Sequence, residues 1–388
     1  EEEFELNFEA SLCIGRALHS DVRKKNLDSE PYIGNTLVMM YGKHGILAEA
    51  KNVFYILSRC NIITWNTILL AHVEHGQGRM ALMLHKLMYE ENVSPDGHTF
   101  AISLQACSNL VEEEDVVIGV KSSKLIAREI GLALHADVER KVFSEDAFVV
   151  STLVNLYGKC GMVEEAENIF RELIERDVVA WTAMLLAYVE KGLGCKALLA
   201  YRQMQEEGIN MDQYALVIAL QACGTLAETH ECINSQECLT SVVAGDIGHA
   251  LHSDARRKGY TFHSHVCNSL ISMYGKCGKL MEAQHVLNGL ALRNVVSWNA
   301  MLSSFVEQGQ PVKSLQLYQH IVAENVVPDD LTYIILLQAC GRFAEDDEAI
   351  IEGQSVKSAS LAIGEALHVD ALRRGLILGA FVYNTLVN

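Results

Sequence analysis

Proline is nearly absent, with four residues in a chain of 388. Few positions therefore interrupt a helix, while Leu, Ala, Glu and Met, all good helix formers, are frequent. Long apolar runs are missing too. The richest stretch, VVAWTAMLLAYV from Val178, is far shorter than the roughly 20 residues that cross a bilayer, so no membrane contact is expected. Eleven cysteines occur, yet none with C-x-x-C spacing, and the nearest non-repeat pair is Cys232 and Cys238. Cys107, Cys223 and Cys340 each end a QAC, and Cys160 and Cys277 sit in YGKCG where the first copy has His44. A zinc ligand is not exchanged in this way, so the cysteines read as small buried hydrophobes in a reducing compartment, with no metal and no cofactor. Neither a G-x-x-x-x-G-K-[ST] phosphate loop nor a G-x-S-x-G elbow is present. The first residues, EEEFELNFEA, have neither an initiator Met nor a basic leader, and FVYNTLVN stops inside a helical pattern. Both ends read as those of a fragment.

What the sequence does contain is repetition. NIITWNTILLAHVEHG from Asn61 returns as DVVAWTAMLLAYVEKG from Asp177 and NVVSWNAMLSSFVEQG from Asn294. Trp65, Trp181 and Trp298 stand 116 and 117 residues apart, as do the YGK tyrosines Tyr41, Tyr157 and Tyr274. ALH, ending at His19, His135, His252 and His368, follows the same period. Within each cycle, apolar residues at helical spacing alternate with glycine-containing turns; Ala166, Ile169, Phe170 and Leu173 form one such face. Each cycle thus holds three helical hairpins. A hairpin cannot bury its apolar stripe alone, so the hairpins are expected to stack into an all-α solenoid. Between QAC and ALH lie segments of nearly fixed length and varying content, read as solvated, partly helical insertions.

The formal net charge of −18 argues against a partner held by phosphate contacts alone. The acids concentrate in the three insertions and the first nine residues, however, and leave the repeat body nearly neutral.

The hairpins resemble pentatricopeptide repeats of the PLS type found in plant organellar RNA-editing factors. YGKCG…EEAENIF is similar to the short S motif, VVSWNAML…EQG…PD to the P motif, and LLQAC…ALH to the long L motif. The resemblance covers essentially the whole chain except the insertions, which exceed the family's usual loop. It implies one continuous right-handed superhelix over residues 1–388. Its motifs would be a partial L over 1–30, S over 31–61, P over 62–96, L over 97–146, S over 147–177, P over 178–212, L over 213–263, S over 264–294, P over 295–329, L over 330–379 and a truncated S over 380–388. It further implies sequence-specific binding of single-stranded RNA at one base per repeat, as an adaptor for C-to-U editing or transcript processing in a mitochondrion or chloroplast. Editing-complex proteins would be partners of a monomer. The readers in the family are the fifth and last residues of a motif. Here these are Asn35 with Asn61 for a pyrimidine, Asn66 with Asp96 for uridine, Ser151 with Asp177 and Thr182 with Asp212 for guanosine. Asn268 with Asn294 follow for a pyrimidine, Asn299 with Asp329 for uridine, and Asn384 stands alone in the last motif. The L motifs offer Ala101, Val217 and Ile334, which cannot hydrogen-bond a base and read as spacers. The expected target is 5′-Y-U-n-G-G-n-Y-U-n-3′.

Asn, Ser and Thr can pair with part of an exposed Watson–Crick edge, and Asp accepts from the imino or amino N–H of U or G but finds no imino N–H on adenine. Val149, Val179 and Val296 stand beside readers and are expected to clamp bases. Against recognition stands capping: Asn or Thr near a helix start and Asp after Pro serve that role as well. The repeated tryptophans read as core and the ALH histidines as packing residues. A deaminase zinc site needs H-x-E followed by P-C-x-x-C; His72-x-Glu74 has no such sequel, so the chain reads as no enzyme. The alternative is a protein-binding scaffold similar to tetratricopeptide arrays, which stack hairpins of about 34 residues.

Overall fold

The computed structural model describes residues 2–57, 60–112, 122–141, 143, 146–173, 176–228, 237–344, 350–351 and 354–374. Two compact units, residues 1–191 and 192–388, make up the chain. The described residues form nineteen α-helices, a 3-10 turn over Tyr260–Phe262 and an antiparallel pair of two-residue strands, Ile350–Ile351 with Gln354–Ser355.

The first unit holds α1 (Glu2–Lys24), α2 (Pro31–Lys43), α3 (Leu47–Ile56), α4 (Ile62–Glu74), α5 (Gly78–Glu90), α6 (Gly97–Glu112), α7 (Ser123–Arg140), α8 (Ala147–Lys159), α9 (Val163–Glu172) and α10 (Val178–Glu190). The leading helices α2, α4, α6, α8 and α10 pack each on the next in one row. The trailing helices α3, α5, α7 and α9 each lie between two neighbours of that row. In the second unit are α11 (Gly194–Glu206), α12 (Gln213–Glu228), α13 (Glu237–Arg257), α14 (Ser264–Lys276), α15 (Leu280–Gly289), α16 (Val295–Glu307), α17 (Pro311–Ala323), α18 (Asp330–Ala344) and α19 (Val356–Arg373). There α12, α14, α16 and α18 form the leading row, backed by α13, α15, α17 and α19. This is the all-helical, hairpin-stacked architecture that the repeats predict. Of the insertions, the structure describes the parts that end α6, α12 and α18, the two short strands and the parts that start α7, α13 and α19; residues 113–121, 229–236 (with Cys232), 345–349 and 352–353 lie outside the described residues, as does Asn384.

Two glycines in each YGK-x-G turn set the geometry. The first lets leading helices approach closely: a Cβ on Gly158 would sit 2.6 Å from the Ala187 Cβ, and one on Gly42 2.7 Å from that of Ala71. The second ends the helix left-handed, at φ +70°, +76° and +72° for Gly45, Gly161 and Gly278, where a side chain would be strained. The core lies between the two rows. Trp65, Trp181 and Trp298 are buried there, with Phe54 and Phe170 edge-on to the first two at 4.8 and 4.7 Å between ring centroids. They are core residues, not stacking platforms. The ALH histidines pack too: the Nδ1 atoms of His19, His135 and His252 lie 2.8, 2.8 and 3.0 Å from the hydroxyls of Tyr41, Tyr157 and Tyr274. Burial foremost pushes the Tyr157 and Tyr274 hydroxyls up to about 12 and the His252 imidazole down to about 4, so the His252–Tyr274 pair is neutral at pH 7.

Candidate nucleic-acid interface

Most leading helices begin with an Asn or Asp side chain just before them, because the first N–H groups of a helix have no partner inside it; α2 and α14, preceded by Glu30 and His263, have no side-chain cap. The Ala180 N–H donates to Asp177 Oδ1 at 2.8 Å, that of Ala215 to Asp212 at 2.8 Å, that of Thr64 to Asn61 at 3.0 Å and that of Ser297 to Asn294 at 2.9 Å. Asp96 and Asp329 cap in the same way, accepting from Thr99 and Thr332 at 2.8 Å. Every last-position residue named above is thus an N-cap of the following helix.

Two of the expected reader pairs meet directly. Asn66 Nδ2 donates to Asp96 Oδ1 at 3.1 Å, and Asn299 Nδ2 to Asp329 Oδ1 at 2.9 Å. A third residue closes each set: Thr99 Oγ1 lies 2.7 Å from Asn66 Oδ1, and Thr332 Oγ1 2.8 Å from Asn299 Oδ1. The carboxylate accepts only, which turns the amide nitrogen towards it and the amide oxygen towards threonine. Both threonine oxygens also stand within 2.8 Å of the carboxylate Oδ1 and accept the aspartate's own N–H at 3.2 Å. Burial raises the Asp96 and Asp329 carboxyls, but these hydrogen bonds outweigh it and leave both below the usual carboxylate range. Each stays ionised at neutral pH and remains an acceptor.

The other pairs are arranged differently. The Ser151 hydroxyl donates to Ala147 O in its own helix at 2.6 Å, while Asp177 is exposed. Thr182, in the first unit, is bonded to Val178 O and Val179 O at 2.8 and 2.9 Å; Asp212 belongs to the second unit and is exposed. The carbonyl oxygens of Asn35 and Asn268 are buried without a hydrogen-bond partner among the described residues. Among the L positions, Ala101 is buried and Val217 and Ile334 are half-buried.

An open pocket of about 340 Å³ surrounds the Asn66–Asp96 pair. Met39 and Lys43 of α2, Ile63 and Leu70 of α4, and His98 and Ile102 of α6 line it, so it is built from leading helices alone. Lys43 Nζ meets Glu74 Oε1 at 2.7 Å, so the ionised Asp96 leaves the lining with a net negative charge. In four hairpins the second residue is exposed although hydrophobic: Ile63 by 60%, Phe148 by 57%, Val179 by 52% and Val296 by 53%. Val149, expected to flank a base, is fully buried instead. One residue along a helix turns the side chain by about 100°, and Phe148 takes the exposed place. The sequence reading also missed Thr99 and Thr332, although HTFAI and LTYII carry a threonine where YALVI carries Ala215.

Models of the PPR repeat family match residues 60–109 and 293–342, and models of the PPR repeat match 148–178, 179–209 and 265–295. A chloroplastic pentatricopeptide repeat-containing protein of Arabidopsis thaliana is 31% identical over 342 residues, covering 88% of this chain and 50% of that protein. The Arabidopsis chloroplastic protein CRR2 is 29% identical, covering 85% and 47%, and a mitochondrial repeat-containing protein of the same plant is 26% identical, covering 87% and 36%. The chain spans half or less of the length of these relatives. Among solved structures, the pentatricopeptide repeat protein PPR10 in complex with an 18-nt psaJ RNA element aligns at a TM-score of 0.40 and 16% identity, over 94% of this chain and 58% of that one.

Proposed function

Since this chain belongs to the pentatricopeptide repeat family, we propose that it binds single-stranded RNA by sequence and acts as an adaptor in organellar C-to-U editing or transcript processing. The observation that carries the reading is the pocket at Asn66. An amide and an ionised carboxylate, held together by a hydrogen bond, stand in an open recess whose walls include the exposed Ile63 and His98. An unpaired base fits such a recess, its faces against those walls and its Watson–Crick edge on the polar pair. The same pair recurs at Asn299 and Asp329.

In this reading each S or P motif addresses one base through its fifth and last residues: Asn35 and Asn61, Asn66 and Asp96, Ser151 and Asp177, Thr182 and Asp212, Asn268 and Asn294, Asn299 and Asp329, and Asn384. The L motifs pass a base without reading it, and the motif limits are those given above. Chloroplast or mitochondrion is the compartment, as the names of the relatives suggest. The role needs no catalysis from this chain.

Fluorescence-anisotropy titration tests the reading. The chain is expected to bind 5′-CUAGGACUA-3′ in preference to the same strand with AA for GG, at one stated salt concentration. Equal, weak binding of both strands would favour a protein-binding scaffold instead.

A further inference from the structure

The residue in the third place of each hairpin varies in step with the reader of the hairpin before it. Where the fifth residue is Asn (Asn35, Asn66, Asn268, Asn299), the third residue of the next motif carries a hydroxyl (Thr64, Thr99, Ser297, Thr332). Where it is Ser151 or Thr182, the third residue that follows is Ala180 or Ala215. Where it is the unreading Ala101 or Val217, Val149 or Val266 follows. These third residues are all buried, as are the readers Ser151, Thr182 and Asn299, so general solvation does not explain the pairing.

Hydrogen bonding does. The Ser151 and Thr182 hydroxyls satisfy themselves on carbonyls of their own helices. An Asn side chain has two unlike ends. In the P motifs both are held, Nδ2 by the aspartate and Oδ1 by the threonine hydroxyl. The threonine hydroxyl stands within donating distance of both the amide oxygen and the aspartate Oδ1, and the latter already accepts two N–H groups. In the S motifs the hydroxyl turns elsewhere, Thr64 to Asn61 Oδ1 at 3.0 Å and Ser297 to Asn294 O at 2.7 Å. The oxygens of Asn35 and Asn268 are then unheld.

Uracil and cytosine present opposite donor and acceptor orders at N3 and C4. An amide fixed at both ends offers its remaining N–H and lone pair in one order and so matches one pyrimidine. An amide held at neither end can turn over and match both. We infer that Thr99 and Thr332 are positioning residues that make their reader hairpins specific for uridine over cytidine. The inference rests on the base-reading role proposed above.

The test uses the full chain, with Thr99→Val removing the hydroxyl at constant shape and Thr99→Ser restoring it. Anisotropy titrations compare 5′-CUAGGACUA-3′ with 5′-CCAGGACUA-3′, and the GG-to-AA strand serves as a control for the rest of the site. The unaltered chain should prefer U at the second base. T99V should narrow that preference about 3- to 10-fold, the range of one net hydrogen bond, while T99S and the GG preference hold. An unchanged U-over-C ratio in T99V would overturn the positioning role and leave base reading standing. No U-over-C preference in the unaltered chain, with GG still preferred, would overturn it as well; loss of both preferences would overturn the base-reading role itself. Should T99V not fold, Ser151→Asn is compared with Ser151→Asn/Ala180→Thr, using strands with U or C at the fourth base. The double variant should separate U from C there and the single one should not; equal behaviour of the two would count against the inference.

Discussion

Replacing Asp177 by Asn separates recognition from capping. The Asp177 carboxylate receives the Ala180 N–H at 2.8 Å and is otherwise exposed. Asn caps a helix about as well as Asp, so the fold loses only the attraction between a carboxylate and the helix N-terminus, about 0.3–1 kcal/mol. In a chain of this size that lowers Tm by about 2 °C or less. The effect on RNA is larger. The imino N–H of guanine at the fourth base loses its acceptor and meets an amide donor, whereas adenine N1 now finds one. Leaving such a group unmatched costs about 1–3 kcal/mol, about 5- to 150-fold in affinity. Anisotropy titration of 5′-CUAGGACUA-3′ against 5′-CUAAGACUA-3′, paired with a thermal melt, reads both quantities. The unaltered chain should favour the first strand and D177N the second, with Asp212→Asn producing the same exchange at the fifth base. An unaltered G preference in D177N, with Tm within the stated range, would reduce Asp177 to a helix cap and refute the carried-over code.

Other expectations concern stability and the walls of the recess. Burial foremost pushes the His85 imidazole down to about 4, although Asp137 opposes it, so the unfolded chain binds a proton near pH 6.5 that the folded chain refuses. Stability should therefore rise from pH 4 to 6.5 and be lost as pH falls through that window, by on the order of 3 kcal/mol; melts at pH 5 and 7 should show it, and H85L should flatten the slope. Gly158→Ala drives a methyl to 2.6 Å from Ala187 and should lower Tm through about 1–3 kcal/mol of overpacking. Gly289→Ala, whose Cβ meets nothing within 4 Å, should raise stability by about 0.4–1 kcal/mol. Phe148→Ser removes an exposed ring and should weaken RNA binding by about 1–3 kcal/mol, the range for a base–aromatic stack, without lowering Tm; unchanged affinity would show that the ring touches no base.

The architecture was legible because it is written in one-dimensional spacing. Helix period, the glycine at each turn and the recurrence of Trp65, Trp181 and Trp298 fix hairpins and core without knowledge of any long-range contact. The polar arrangement was legible only in part. That Asp96 would cap a helix is a local fact. That Thr99 would reach Asn66, 33 residues earlier, depends on how two leading helices lie against each other. The exchange of Val149 for Phe148 has a related cause: both are apolar, and pattern alone does not say which of two neighbours turns outward. The insertions carry neither period nor repeated residue, so spacing says nothing of them.

A residue that must both start a helix and face a nucleotide has a short vocabulary. Asn, Asp, Ser and Thr are the side chains that satisfy the orphan N–H groups well, and the last positions of the S and P motifs here use only Asn and Asp. Because these two cap almost equally, a change from one to the other is close to silent for folding while it reverses a donor and an acceptor at the base edge. Target choice in such a chain can therefore drift by single substitutions through intermediates that all fold. Any wider set of letters would have to come from the fifth position, where the helix has already begun and its N–H groups make no demand.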